Sequence, residues 1–333
     1  MKKMLALLLS AIMALGMVTM VLATAEMPVI GVEIYRYDDT FMTSVRMAIE
    51  EAAKDKATLE MTDGQNAQAT QNDLIDNHIT MGVNALAVNP VDLTAASVIL
   101  EKAKAAEIPV VFFNREPDAA DMPDAGWYYV GAKAEESGTM SGELIADYFK
   151  ANPEADLNGD GKIQYVILTG QPGHQDAVLR TEYSVKAIEA AGYEVELLAT
   201  DTANWQRVEA QDKMAAWLAA YDNIEAVLAN NDDMALGAIE ALKAVGYFVE
   251  GKYMPVVGVD ATAPALEALK DGTLLGTVLN DAKNQGTATL NLAWALATGA
   301  ETSIDNVGYE VVEGRYIWVP YQKVTLDNYT EFE

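Results

Sequence analysis

The chain's 333 residues carry 50 acidic against 22 basic side chains, a formal charge of -28 at pH 7. Such an acidic surface repels phosphate backbones and anionic lipids, which excludes nucleic acid and acidic membranes as partners and leaves neutral, hydroxyl-rich solutes open. The absence of cysteine excludes a disulfide framework and a lipidated cysteine, so stability must come from ordinary cores and bound ions.

Lys2 and Lys3 precede an apolar run, Met4 to Leu22, that closes on Ala23-Thr24-Ala25, the order of an export signal. Residues 1–25 are therefore expected to be a signal peptide, cleaved or, because the run is long, kept as an anchor. Removing it leaves about 308 residues, more than one core comfortably supports, so two domains are expected.

From there strand and helix patterns alternate, which predicts an α/β fold with parallel sheets covered on both faces. Strands are expected at Val29 to Tyr35, Ala57 to Met61, Ala85 to Val88, Pro109 to Phe113, Trp127 to Val130, Ile163 to Leu168, Glu194 to Leu198, Ala226 to Ala229, Pro255 to Val259 and Leu274 to Leu279. Amphipathic helical stretches lie between them, such as Phe41 to Ala53, Ala134 to Lys150, Asp176 to Ala191, Val208 to Ala220 and Ala263 to Leu269.

Six strands run straight into a polar planar group: Asp38-Asp39, Asn114, His174 with Asp176, Asn230-Asn231, Asp260 and Asn280. The carboxyl edge of a parallel sheet is where ligands bind, although any one of these residues could simply cap the next helix. Asp and Asn accept hydroxyl hydrogens while Asn, Arg and His donate, so the set suits a polyol; a phosphate or carboxylate ligand would call for more Arg and Lys. Phe41 and Trp205 sit near these strand ends, as packing residues or as platforms for the apolar face of a sugar ring.

The stretch Asp156 to Arg180, DLNGDGKIQYVILTGQPGHQDAVLR, carries two further signals. Asp156, Asn158 and Asp160 alternate, followed by Gly161, Lys162 and Gln164, which matches the oxygen ligands and turn glycine of an EF-hand-type loop through its ninth position. Position twelve is Ile167, inside a strand pattern, so the closing carboxylate must come from elsewhere, unless the segment is only an acidic surface turn. His174, Asp176 and Arg180 then open a helix, as ligand contacts or as a cap with an i,i+4 pair.

The segments IYRYDDTFM, VVFFNREP, DTANW, AVLANNDDMALGAIEALK, VVGVDA and GTVLNDAKNQ, with the stretch above, resemble type I periplasmic binding proteins, in particular the members that bind D-galactose and D-glucose. The resemblance is collinear over essentially the whole chain after the leader. It implies that Asp39, Asn114, His174, Asp176, Arg180, Asn231, Asp260 and Asn280 hydrogen-bond a hexose, with Phe41 and Trp205 stacking on its two faces. It also implies a structural calcium held by Asp156, Asn158, Asp160, the Lys162 carbonyl, Gln164 and the distant Glu225. The fold implied is two doubly wound lobes joined by three crossings, residues 26–133 with 280–317 and 134–279 with 318–333. The function implied is capture of galactose or glucose outside the cell by a monomer that delivers it to an ABC importer and to a chemoreceptor. Against a sugar-acting enzyme, in which Asp39 and Asp260 would be paired carboxylates, stands the lack of any cofactor or nucleophile motif. Against a repressor of the same fold stand the leader and the acidic surface.

Overall fold

The computed structural model of the protein describes residues 27–249 and 251–332, so the expected signal peptide lies outside the described residues. Among the described residues the strands are, in chain order, β1 (Val29–Ile34), β2 (Thr58–Asp63), β3 (Ala85–Val88), β4 (Val110–Phe113), β5 (Trp127–Gly131), β6 (Lys162–Thr169), β7 (Glu194–Thr202), β8 (Ala226–Ala229), β9 (Val256–Val257), β10 (Thr277–Leu279), β11 (Tyr316–Trp318) and β12 (Gln322–Val324). The helices are α1 (Thr40–Ala53), α2 (Gln68–Met81), α3 (Ala96–Ala105), α4 (Ala134–Ala151), α5 (Gln175–Ala190), α6 (Arg207–Ala220), α7 (Asp232–Ala244), α8 (Ala263–Lys270), α9 (Ala282–Thr298) and the single turn α10 (Ile304–Val307).

The first lobe is a parallel sheet in the order β2-β1-β3-β4-β5-β11. The second repeats the winding as β7-β6-β8-β9, extended by single bridges from Val257 to Gly276 and from Asp260 to Leu279 onto β10, whose antiparallel partner is β12. This is the doubly wound α/β fold the alternation predicted.

The central strands of each sheet are buried on both faces, successive residues pointing to helices on opposite sides. Leu86, Val88, Val110 and Phe112 pack with Ile75 of α2 and Ile99 and Leu100 of α3. Their neighbours Ala85, Ala87, Val111 and Phe113 pack on the other face with α1 and with Leu290 and Ala293 of α9. In the second lobe Val166, Leu168 and Val227 meet α6 and α7, whereas Ile163, Tyr165, Ile167 and Leu228 meet α4 and α5. Strands covered on both faces read as continuous apolar runs, which is why these were legible.

Three crossings connect the lobes: between Gly131 and Ala134, between Leu279 and Ala282, and between Trp318 and Gln322. Boundaries differ from expectation in a few places. The Leu274 to Leu279 strand shortens to β10, because Leu274 and Leu275 instead close the turn after α8 with backbone bonds to Ala268 and Val256. The Glu194 to Leu198 strand runs on to Thr202, held by β6 along its whole length with one register shift at Tyr165 and Val166. Among the described residues no helix is long and apolar enough to cross a membrane.

Candidate functional site

The carboxyl ends of both sheets face each other across a cavity, the place where ligands bind in parallel α/β sheets. All ten residues expected to contact a ligand line it: Asp39, Phe41, Asn114, His174, Asp176, Arg180, Trp205, Asn231, Asp260 and Asn280. Tyr35, Met42 and Arg115 line it as well.

Several of these residues are both helix caps and cavity groups. Asp39 Oδ1 accepts from Met42 N at 2.8 Å, while its Oδ2 accepts from the Tyr35 hydroxyl at 2.6 Å. Asn231 Oδ1 accepts from Met234 N at 3.0 Å, capping α7. His174 Nδ1 accepts from Asp176 N at 3.1 Å. Capping and ligand binding are therefore compatible: the cap occupies one polar atom and fixes the rotamer, leaving the others over the cavity.

Arg180 is held from every side. Its guanidinium donates to Asp176 Oδ2 at 2.8 Å, to the Asn230 carbonyl at 2.8 Å, to the Tyr321 hydroxyl at 3.0 Å and to Ser137 Oγ at 3.2 Å. Its helix, α5, lies close enough to α4 that a Cβ on Gly142 would come within 2.1 Å of the Ser184 carbonyl. Arg115 is also held, donating to the Val91 carbonyl at 3.0 Å and to Gln171 Oε1 at 2.9 Å with its charge 3.5 Å from the centre of the Tyr35 ring.

Trp205 packs directly on Gly170, where a Cβ would fall 2.0 Å from the indole ring, so glycine is required at the end of β6 for the ring to take this position. The His174 ring meets the indole edge-on at 5.1 Å. Trp205 (φ 66), Asn114 (φ 61) and Asp260 (φ 124) all have positive φ, backbone strain of the kind that collects at ligand sites and that the surrounding fold holds in place.

The electrostatics select uncharged ligands. Burial pushes His174 well below its ordinary range, with Arg115 and Arg180 adding to the effect, so the ring is neutral. With Nδ1 accepting, its proton sits on Nε2 as a donor. Burial raises Asp260 well above the usual carboxylate range, opposed by Arg180, and its hydrogen bond from a side chain is a long one, 3.3 Å from Asn280 Nδ2. Asp176 is likewise raised by burial and held back by Arg180. Arg180 is paired with Asp176, and Arg115 donates to the Val91 carbonyl and Gln171, while the carboxylates offer acceptors for hydroxyl hydrogens.

The residues expected to hold a metal sit at the other end of β6. Asp156 accepts from Gly159 N at 2.7 Å and Gly161 N at 2.9 Å, Asn158 Oδ1 from Asp160 N at 2.9 Å, and Asp160 Oδ1 from Lys162 N at 2.9 Å. Glu225, distant in sequence, closes on the loop by accepting from Leu157 N at 2.6 Å and Gln164 N at 3.0 Å. Burial raises the Glu225 carboxyl, and the charges of Asp156 and Asp160 add to the rise. Gln164 Oε1 is buried without a hydrogen-bond partner. Among the described residues no three Asp, Glu, His or Cys side chains cluster tightly enough to bind a metal unaided. An ion here would depend on Asn158, Gln164 and the Lys162 carbonyl as much as on the carboxylates, and the orphaned Gln164 oxygen fits that demand.

Sequence reasoning missed three cavity residues, Tyr35, Met42 and Arg115, of which Arg115 is the charged one. It follows Asn114 directly, and an arginine in a polar turn after a strand carries no spacing signal; only the fold shows it buried.

Two doubly wound lobes that close a polar cavity between their carboxyl edges define a solute-binding protein. The model of the periplasmic binding protein domain matches residues 30–301, and the chain belongs to that family. It is 46% identical over 308 residues, 91% of each chain, to the D-galactose/methyl-galactoside binding periplasmic protein of Haemophilus influenzae. It is 35% identical to a putative rhizopine-binding protein of Rhizobium meliloti over 97% of this chain and 98% of that one. Among solved structures, an ABC transporter solute binding protein of Bacillus halodurans with bound myo-inositol superposes with a TM-score of 0.77 at 34% identity, covering 92% of this chain and 97% of the other. The chain is accordingly a binding protein of the type I fold and not an enzyme.

Proposed function

We propose that this protein captures a neutral hexose, D-galactose or D-glucose, between its lobes on the outer side of the cytoplasmic membrane and delivers it to an ABC importer. The observation that carries the reading is the cavity's polar inventory: three carboxylates and three amides face it, while both guanidinium groups are already committed to protein acceptors. That set offers acceptors and donors to a ring of hydroxyls and a poor welcome to an anion. The named specificity of the Haemophilus relative supports the hexose, and the transporter role named for the Bacillus neighbour supports the delivery. Export rests on residues 1–25, and docking to a chemoreceptor rests on the resemblance of the sequence.

Calcium in the loop from Asp156 to Gln164, closed by Glu225, is part of the same proposal. The all-oxygen donor set suits calcium and disfavours zinc or copper.

The myo-inositol bound by the Bacillus neighbour makes a cyclic polyol the second reading. Calorimetric titration with D-galactose, D-glucose, myo-inositol and D-ribose separates them. Saturable one-site binding of either hexose is expected; binding of inositol alone moves the second reading to first place, and no heat with any of the four sinks the proposal.

A further inference from the structure

Beyond the cavity, a short chain of hydrogen bonds ties the lobes together. Gln171 belongs to the second lobe, in the turn after β6, and its carboxamide uses both ends on the first lobe. Its Oε1 accepts from Arg115 at 2.9 Å and its Nε2 donates to Asn66 Oδ1 at 2.9 Å. The three partners are fixed before they meet. Arg115 is pinned by the Val91 carbonyl and the Tyr35 ring. Asn66 stands in a left-handed turn (Gln65 φ 52, Asn66 φ 54) that Asp63 braces through Gln65 N at 2.9 Å. Gly170, next to Gln171, is bound through its N–H to Asn230 Oδ1 at 3.0 Å.

The place of this chain of bonds matters. Arg115 and His174 line both the cavity and a neighbouring pocket bounded by Val91, Leu93 and Pro172. Gln171, which lines that neighbouring pocket, holds the Arg115 side chain shared by the two. A second contact spans the lobes, from Thr40 Oγ1 to Asp233 Oδ2 at 2.5 Å, with Arg207 holding Asp233 at 2.6 Å. It tethers helix termini, whereas Gln171 bridges two separate first-lobe segments.

We propose that Gln171 is a latch: a positioning residue that touches no ligand and sets how long the closed lobes retain one. The inference rests on the reading of the cleft as a solute site. A neutral carboxamide suits this role because it accepts and donates at once. Alanine loses both bonds, whereas glutamate keeps the Arg115 bond and can accept from the Asn66 amide once that amide is flipped. Interactions formed only on closure act on dissociation more than on encounter.

Stopped-flow tryptophan fluorescence with D-galactose, D-glucose and myo-inositol tests this on the parent chain, Gln171→Ala and Gln171→Glu. Gln171→Ala should raise the dissociation rate by about one to two orders of magnitude while leaving the association rate within about twofold, as for two lost hydrogen bonds, one of them to a charge. Gln171→Glu should restore slow dissociation, and the melting temperature without ligand should be the same for all three, which a merely structural role would not give. An unchanged dissociation rate in Gln171→Ala, or a loss confined to association, overturns the latch. Should the parent bind only inositol, the hexose reading fails and the latch is scored on the inositol rates. A ligand-free arm uses the absence of cysteine: Asn66→Cys with Gln171→Cys should join through a short thiol cross-linker, and no cross-link, with or without these solutes, would also overturn it.

Discussion

Trp205 shows how one side chain is placed by several others. Gly170 gives the ring room, His174 meets its face edge-on, and positive φ at Asn204 and Trp205 turns the loop into the cavity. Removing a large buried aromatic contact should weaken hexose binding by roughly 2–4 kcal/mol, so Trp205→Ala measured by calorimetry should lose about two orders of magnitude in affinity. Parent-like binding would remove Trp205 from the ligand contacts. Glu116, which follows Arg115, gives a pH test. It lines a pocket beside the crossings with Lys133, Gln175 and Trp318, and burial, with the Asp176 charge adding, pushes its carboxyl up to about 7. A carboxyl raised in the folded state contributes stability below its unfolded range and loses it as pH rises through the folded value. Glu116→Gln stays neutral throughout, so its melting temperature should match the parent near about pH 4 and exceed it above about pH 7. A constant difference across that range would refute the assignment. At this scale the sequence showed polar groups at strand ends but not Arg115, whose burial depends on a contact with Tyr35, in a strand-end segment far away in the chain.

At the scale of elements, β6 is the axis of the second lobe, with the oxygen-rich loop before it and the turn to α5 after it. Its eight residues span about 25 Å at ~3.3 Å per residue, which separates the two sites. The strand was legible because both its faces are buried and Tyr165 to Leu168 form an unbroken apolar run. Strands β11 and β12 were not, since three residues show no periodicity and their pairing is decided by partners far away in the chain. The separation makes the proposed calcium a structural ion. An ion bound only to the native state stabilises it by ~3–4 kcal/mol at 100–1,000 times its dissociation constant. Chelation should therefore lower the melting temperature by roughly 5–10 °C with hexose affinity nearly intact, and Glu225→Ala should do the same. A melting temperature indifferent to calcium and chelator would refute the ion site. Loss of sugar binding in folded, calcium-free protein would refute its purely structural role.

For the whole molecule, the division of labour between lobes sets the mechanism. Asp39, Phe41 and Asn114 come from the first lobe, His174, Asp176, Arg180, Trp205 and Asn231 from the second, and Asp260 with Asn280 stands where the second crossing begins. A solute that contacts both lobes binds the closed arrangement better than the open one, and only that difference can shift the population. Asp260 is the residue through which this preference should be felt most. It is buried, raised by desolvation, and bonded to Asn280 at the start of the crossing, so a hydroxyl donated to it relieves an under-satisfied acid at the hinge itself. Small-angle scattering reads the consequence directly. A compact chain of about 308 residues has a radius of gyration of about 19 Å, and D-galactose should bring the ligand-free protein towards that value. Asp260→Ala should leave the radius at its ligand-free value at the same D-galactose concentration, whereas Asn231→Ala, which loses one contact on one lobe, should still contract when more sugar is added. Equal contraction of parent and Asp260→Ala at one sugar concentration would show that closure does not run through the second crossing.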